Sequence, residues 1–225
     1  MNARISTVLL VLLAVVSLAT TALLTVSALN ANPGDEGTPE QSRVNPLFAE
    51  GLELPEFSLL ERSGRPFGSQ QLRGRVWIAD FIFTRCPGIC PTMTAQMARL
   101  QREMAGHRRW SDLRLVSISV EPDHDTPEQL RKYAEVFQAD PEQWLFLTGE
   151  REEIWDLCRN GFKQTVQENA QNSTIPIVHT PHFILVDRQR RIRGFYDSLQ
   201  EPERERLRRD LERVLGESQE SGVGT

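Results

Sequence analysis

Cysteine and histidine are scarce in this sequence, with 3 and 4 residues among 225. A structural zinc site needs four such ligands, and knuckle spacing puts two residues between paired cysteines where Cys86 and Cys90 have three. Zinc is therefore a poor fit. Positive charge is not in excess either: the net charge of -5 leaves no electrostatic footprint for nucleic acid. The arginines form no basic patch, because Arg188, Arg190, Arg191 and Arg193 sit in a hairpin-like stretch while Arg204, Arg206, Arg208, Arg209 and Arg213 alternate with Glu and Asp. Solvated faces account for both groups. No internal repeat is visible, so a solenoid is not expected.

Charge is missing altogether from Ile5 to Leu29, a run rich in Leu, Val and Ala. Its length exceeds the roughly 20 residues needed to cross a bilayer. Arg4 and the amino terminus precede it and Asp35 and Glu36 follow, so the rest of the chain is expected outside the cytoplasm. A retained single-pass anchor over 1–30 is expected in preference to a cleaved signal peptide ending near Val26 and Ala28. No cysteine follows the run, which gives no support to lipid attachment there. Residues 31–50, rich in Pro, Gly, Asp and Glu, are expected to be a flexible linker to a domain over 51–216, with 217–225 as a frayed tail.

The two thiols lie in Phe81-Ile82-Phe83-Thr84-Arg85-Cys86-Pro87-Gly88-Ile89-Cys90-Pro91-Thr92-Met93-Thr94, at a strand-to-helix junction of the kind where α/β proteins place their chemistry. Pro91 suits the first position of a helix, which would make Cys90 the N-cap and turn it toward the positive end of the helix dipole. Pro87 and Gly88 imply a turn that brings Cys86 back toward Cys90. Spacing leaves several readings open: a thiol-disulfide redox pair, a copper site if a distant imidazole joins the thiolates, or two structural cysteines. Cys158 follows Ile154, Trp155 and Leu157 on a predicted helix and reads as a buried core thiol.

Around this junction the pattern is α/β. Val76 to Phe83 is nearly all apolar and predicts a central strand buried on both faces. Asp80 interrupts it, and is expected either to support the cysteine loop or to hold a nearby backbone group. Met93, Met97, Leu100 and Met104 recur at helical spacing and read as core, not as ligands. Strands are predicted at Phe57 to Leu60, Leu113 to Val120 and Trp144 to Leu147, and Phe183 to Val186 with Ile192 to Tyr196 forms a closing hairpin. Helices are predicted from Thr126-Pro127, from Glu150 to Arg159, and around Leu207 to Leu215. His107 and His124 read as solvated. His179 and His182 precede the strand from Phe183 at an odd separation, so only one of them should reach a given site.

The combination Phe83-Thr84-Arg85-Cys86-Pro87-Gly88-Ile89-Cys90-Pro91 with His179-Thr180-Pro181-His182-Phe183-Ile184-Leu185-Val186-Asp187 resembles the Sco/SenC family of membrane-tethered copper proteins. The segments Ser119 to Pro127 and Trp144 to Gly149 look like family segments in the expected order, so the resemblance covers nearly the whole domain. Gly88-Ile89 stands where Asp-Val is usual, and Glu121 where an Asp is usual.

The resemblance implies a thioredoxin-like α/β sandwich with a central mixed β-sheet, following an N-terminal transmembrane helix. It places copper, as Cu(I) or Cu(II), on Cys86, Cys90 and His179, and no required ligand on His182. It implies a copper chaperone, not an enzyme, that delivers copper to the copper-bearing subunit of cytochrome c oxidase and receives it from a copper donor protein. The domain would project from the inner membrane into the periplasm or an equivalent space. A tethered thiol-disulfide oxidoreductase using Cys86 and Cys90, or a copper or redox sensor, are the alternatives. Lys163 to Thr174 looks like the family's insertion and is expected to be either a partner-facing loop or a mobile surface loop of no defined role.

Overall fold

A computed structural model describes residues 52–170 and 176–217. The apolar run 5–29, the linker 31–50 and residues 218–225 lie outside them. Among the described residues no helix is long and apolar enough to cross a membrane.

An eight-stranded mixed sheet carries the domain, in the order β1-β10-β9-β4-β5-β6-β2-β3. Its strands are β1 (Leu52–Glu53), β2 (Ser58–Glu61), β3 (Pro66–Gly68), β4 (Val76–Ile82), β5 (Leu113–Ser119), β6 (Trp144–Thr148), β9 (His182–Val186) and β10 (Arg191–Asp197). At its centre β4, β5 and β6 run parallel, with Ile78 opposite Leu115 and Val116 opposite Leu145. Parallel neighbours need a crossover. These are supplied by α1 (Ile89–Met104) between β4 and β5, and by α2 (Pro127–Val136) between β5 and β6. Every residue of β4 and β6 is buried, which is why the sequence there is almost continuously apolar. On the other side β9 pairs antiparallel with β4, and β10 antiparallel with β9. The α/β sandwich with a mixed sheet expected from the sequence is therefore the observed one.

The helices start and end for local reasons. Thr126 caps α2, its Oγ1 accepting from the Gln129 N–H at 3.3 Å with Pro127 at the first helical position. Met93, Met97, Leu100 and Met104 are all buried, as the stripe predicts. Each such burial contributes about 1.5–3 kcal/mol. The predicted helix through Arg159 is shorter: α3 (Arg151–Asp156) gives way to a π-helical turn, Leu157–Gly161. The last helix, α4 (Glu201–Gly216), ends where Arg188 donates to the Val214 and Glu217 carbonyls. Glu217, placed in the tail by the sequence reading, is held by Arg193 at 2.6 and 2.7 Å.

Three short strands were not foreseen, β1 and two others. β7 (Val166–Glu168), inside the expected loop Lys163 to Thr174, pairs antiparallel with β8 (Ile177–His179), which follows that loop, forming a separate two-stranded ribbon with Val166 opposite His179. The ribbon delivers His179 to the end of the central strand.

Candidate metal centre

The centre forms where β4 ends. Residues 83–88 leave the strand, turn through the Cys86 N–H donating to the Phe83 carbonyl at 3.2 Å, and enter α1. The helix begins earlier than expected. Its N-cap is Gly88, so Ile89 and Cys90 are its first two helical residues and Pro91 its third. Proline is tolerated there because none of the first-turn N–H groups has an intrahelical acceptor.

This one-turn detail reverses the roles of the two thiols. Cys86, not Cys90, lies where the free N–H groups of the first turn converge. The neighbouring Cys90 side chain is the main cause that favours its thiolate, and the Cys90, Gly88 and Ile89 backbone N–H groups add to this, against the opposing effect of burial. Its pKa is held down to about 6. Cys90, beside the Cys86 side chain and fully buried, is pushed up. Neither thiol is in a disulfide.

Opposite Cys90 stands His179, a residue 89 positions away in the chain and 6% exposed, with Nε2 at 3.1 Å from Cys90 Sγ. Its Nδ1 lies 3.2 Å from the Thr180 carbonyl, which can only accept. The proton is thereby placed on Nδ1, and the Nε2 lone pair faces the sulfur. Burial lowers the imidazole pKa, so the ring is kept in the neutral form that binds metals. Phe83 packs edge-on to the ring with centroids 5.9 Å apart.

His182 goes elsewhere. Its Nδ1 is 2.8 Å from Gln164 Oε1 and its ring tilts against Phe195 at 6.2 Å. The two histidines separate as expected, but for a different reason: Thr180 and Pro181 break the chain between β8 and β9, so they are not on one strand.

The cysteine loop is clamped from behind by residues that spacing did not reveal. Asp125, fully buried, accepts from the Thr84 N–H at 2.9 Å, the Thr84 hydroxyl at 2.5 Å and the Ser119 hydroxyl at 2.6 Å. Arg85 reaches the buried Glu121 with two parallel bonds, one of 2.8 Å. His124 is exposed, as expected, with Nδ1 at 2.9 Å from Asp125 Oδ1, and His107 pairs with Glu212 at 3.2 Å. Asp80 performs neither task foreseen for it. Its Oδ1 accepts from Ser117 Oγ at 2.6 Å, that hydroxyl accepts from Trp144 Nε1 at 3.0 Å, and Oδ2 has no partner. Burial raises its pKa to about 7. Cys158 is fully buried, and burial likewise raises its pKa to about 12.

Two sulfurs and one imidazole nitrogen make a soft donor set that suits copper in either oxidation state. Among the described residues, one group of His, Cys, Asp or Glu has its donor atoms all within 4.8 Å of one another, Glu121 with His124 and Asp125. Those carboxylates are already engaged by Arg85, Thr84 and Ser119. The Cys86, Cys90 and His179 donors do not form such a group, although Cys90 Sγ lies 3.1 Å from His179 Nε2. The turn at Pro87 and Gly88 between the two cysteines is exposed, and a Cβ on Gly88 would meet nothing within 4 Å.

The SCO1/SenC family model matches residues 49–216. The chain belongs to the SCO1/SenC family. It is similar to the SCO1 protein homolog of Bacillus subtilis (strain 168), 36% identical over 135 residues that cover 60% of this chain and 68% of that one. Among solved structures, a SCO1/SenC family lipoprotein from Bacillus anthracis str. Ames is 33% identical with a TM-score of 0.67, covering 73% of this chain and 95% of that one. BsSco, described as a member of the Sco family of cytochrome c oxidase assembly proteins, is 30% identical with a TM-score of 0.66, over 75% and 96% of the two chains. Arabidopsis thaliana ScoI, solved with copper bound, is 26% identical with a TM-score of 0.56, over 69% and 98%. The thioredoxin-like fold implied by the resemblance is the fold of this Sco domain.

Proposed function

We propose that this Sco protein is a copper chaperone, not an enzyme, that holds copper on Cys86, Cys90 and His179 and passes it to the copper-bearing subunit of cytochrome c oxidase. The observation that carries the reading is the 3.1 Å approach of His179 Nε2 to Cys90 Sγ, with the other ring nitrogen committed to Thr180. A disulfide exchanger needs two sulfurs and has no use for a metal-ready imidazole beside the buried one. Copper as ligand agrees with the copper-bound Sco relative.

Transfer follows from ligand exchange. Cys86, the more accessible and more acidic thiol, is the donor that an acceptor thiolate displaces first, while Cys90 and His179 retain the ion until a second acceptor ligand arrives. A copper donor protein would load the site by the reverse sequence. The uncharged run 5–29 behind Arg4 supports a tether to the inner membrane, residues 31–50 a linker, and a domain over 51–216 facing the periplasm or an equivalent space.

A second reading is favoured by one feature, two free cysteines side by side with the Cys86 pKa lowered and that of Cys90 raised. Such a pair can attack an acceptor disulfide, Cys86 forming the mixed disulfide and Cys90 resolving it, so that the acceptor gains two thiols and this pair becomes a disulfide. Mixing copper-loaded protein with the copper-free soluble domain of the oxidase subunit separates the two. The chaperone reading expects copper to move to a pre-reduced acceptor. Failure of transfer to that acceptor, together with thiol appearance in an oxidised one, would favour the reductase.

A further inference from the structure

We infer that Gln164 is a positioning residue for the metal centre: its side chain holds Thr180, and through the Thr180 carbonyl fixes the tautomer and aim of His179. The inference rests on His179 being a copper ligand only for its copper readout; the imidazole geometry it explains is present without metal.

Gln164 is 6% exposed and every polar atom of its side chain is used. Oε1 accepts from Thr180 Oγ1 at 2.7 Å and from His182 Nδ1 at 2.8 Å, and Nε2 donates to the Phe162 carbonyl at 3.0 Å. Its backbone N–H donates to the Cys158 carbonyl at 2.9 Å, which ties it to the π-helical turn. A π turn carries one residue more than an α turn, and such turns recur where a chain must be re-aimed. Here it sets Gln164 two residues before Val166, which pairs across the ribbon with His179.

Thr180 is thus gripped by its hydroxyl while its carbonyl receives the His179 Nδ1–H. The Pro181 carbonyl is anchored independently, accepting from the Ser198 N–H at 2.9 Å and hydroxyl at 2.7 Å. Loss of Gln164 therefore frees one side of the His179–His182 segment and leaves the other attached. His182 also gains a place: its ring closes over the amide oxygen from the far side of Thr180, as a companion to the clamp and not as a ligand.

Removing a group that orients a metal-binding imidazole typically weakens the metal about 10–100-fold. Gln164→Ala should weaken Cu(II) binding within that range, while Cu(I), held by the two thiolates, is retained. Thr180→Ser keeps the hydroxyl that donates to Gln164 Oε1 and should retain the wild-type behaviour. Nitrogen-15 chemical shifts of the imidazole in the copper-free protein supply the second readout. Wild type and Thr180→Ser should show His179 as a single tautomer protonated on Nδ1, and Gln164→Ala a mixture of both. If Gln164→Ala loses its cooperative melt, Thr180→Val, which deletes the hydroxyl donor alone, carries the same test. A single Nδ1–H tautomer with unchanged Cu(II) affinity in a folded Gln164→Ala or Thr180→Val protein would overturn the inference. A tautomer mixture in Gln164→Ala, alongside a His179→Ala protein that keeps its Cu(II) spectrum, would uphold the clamp and reject the ligand reading instead.

Discussion

Asp80→Asn should stabilise the protein at alkaline pH and destabilise it in acid. Asp80 is fully buried in β4, bonded through one oxygen to Ser117, with the other unpartnered. Burial raises its pKa from 3.8 to about 7. A carboxyl whose folded pKa is raised binds more protons folded than unfolded, so stability falls as pH rises from 3.8 toward 7 and is flat above. At about 1.4 kcal/mol per unit, the ionised group costs the folded state about 4 kcal/mol at pH 8. Asparagine removes that cost and keeps an acceptor for Ser117, but it adds an amide donor without a partner, worth about 1–3 kcal/mol. The balance is a gain of about 1–3 kcal/mol at pH 8, or several degrees of melting temperature for a domain of this size. As pH falls from 7 toward 3.8 the carboxyl is neutral in the folded protein and progressively protonated in the unfolded one, so the cost fades and asparagine, with its unpaired donor, should become the less stable residue at the acid end. Melting temperatures of both proteins from pH 4.5 to 8.5 make the measurement. A difference that does not change with pH, or whose sign is reversed, would refute the reasoning.

Cys86, held near a pKa of about 6 chiefly by the Cys90 thiol, should react with iodoacetamide at a nearly constant rate from pH 8 to 7 and at half that rate near pH 6. The unfolded chain should instead titrate near pH 9, and a midpoint there for the folded protein contradicts the assignment. Cys158→Ser should keep its full copper content, since that sulfur is buried away from the pair, and lose about 1–3 kcal/mol of stability from burying a hydroxyl; copper loss with the fold intact would show the wrong thiols were chosen. A reporter fused after Asn45 should be active only outside the cytoplasm, and activity of a cytoplasm-only reporter there would contradict the topology.

What the sequence disclosed depended on how local the signal was. Val76 to Phe83 announced a central strand because burial on both faces leaves no polar alternation, and Thr126-Pro127 announced α2 because a cap is written in adjacent residues. The start of α1 was displaced because proline is as acceptable at the third helical position as at the first, and that shift exchanged the electrostatic roles of Cys86 and Cys90. β8 was missed because a strand of three residues, set between Pro176 and Pro181, is too short to show a period. Asp125 gave no sign that it holds Thr84, 41 residues earlier, since a buried hydrogen bond between distant residues has no spacing rule. The proposed third ligand was beyond residue patterns for the same reason. Two histidines three apart looked equivalent, and the resemblance to the family singled out the one whose nitrogen the fold brings to Cys90.

Copper binding by the reduced protein tests the central claim most directly. Stoichiometry and the sulfur-to-copper charge-transfer absorption should be measured on wild type, Cys86→Ser, Cys90→Ser, His179→Ala and His182→Ala, with thiol titration alongside. The account predicts one copper per wild-type chain and loss of most copper in either serine variant. It predicts for His179→Ala a retained Cu(I) and an intact disulfide couple with the Cu(II) absorption gone, and for His182→Ala both copper states nearly unchanged. Abolition of that absorption by His182→Ala and its survival in His179→Ala would contradict the ligand set, and indifference to both would return the site to disulfide exchange.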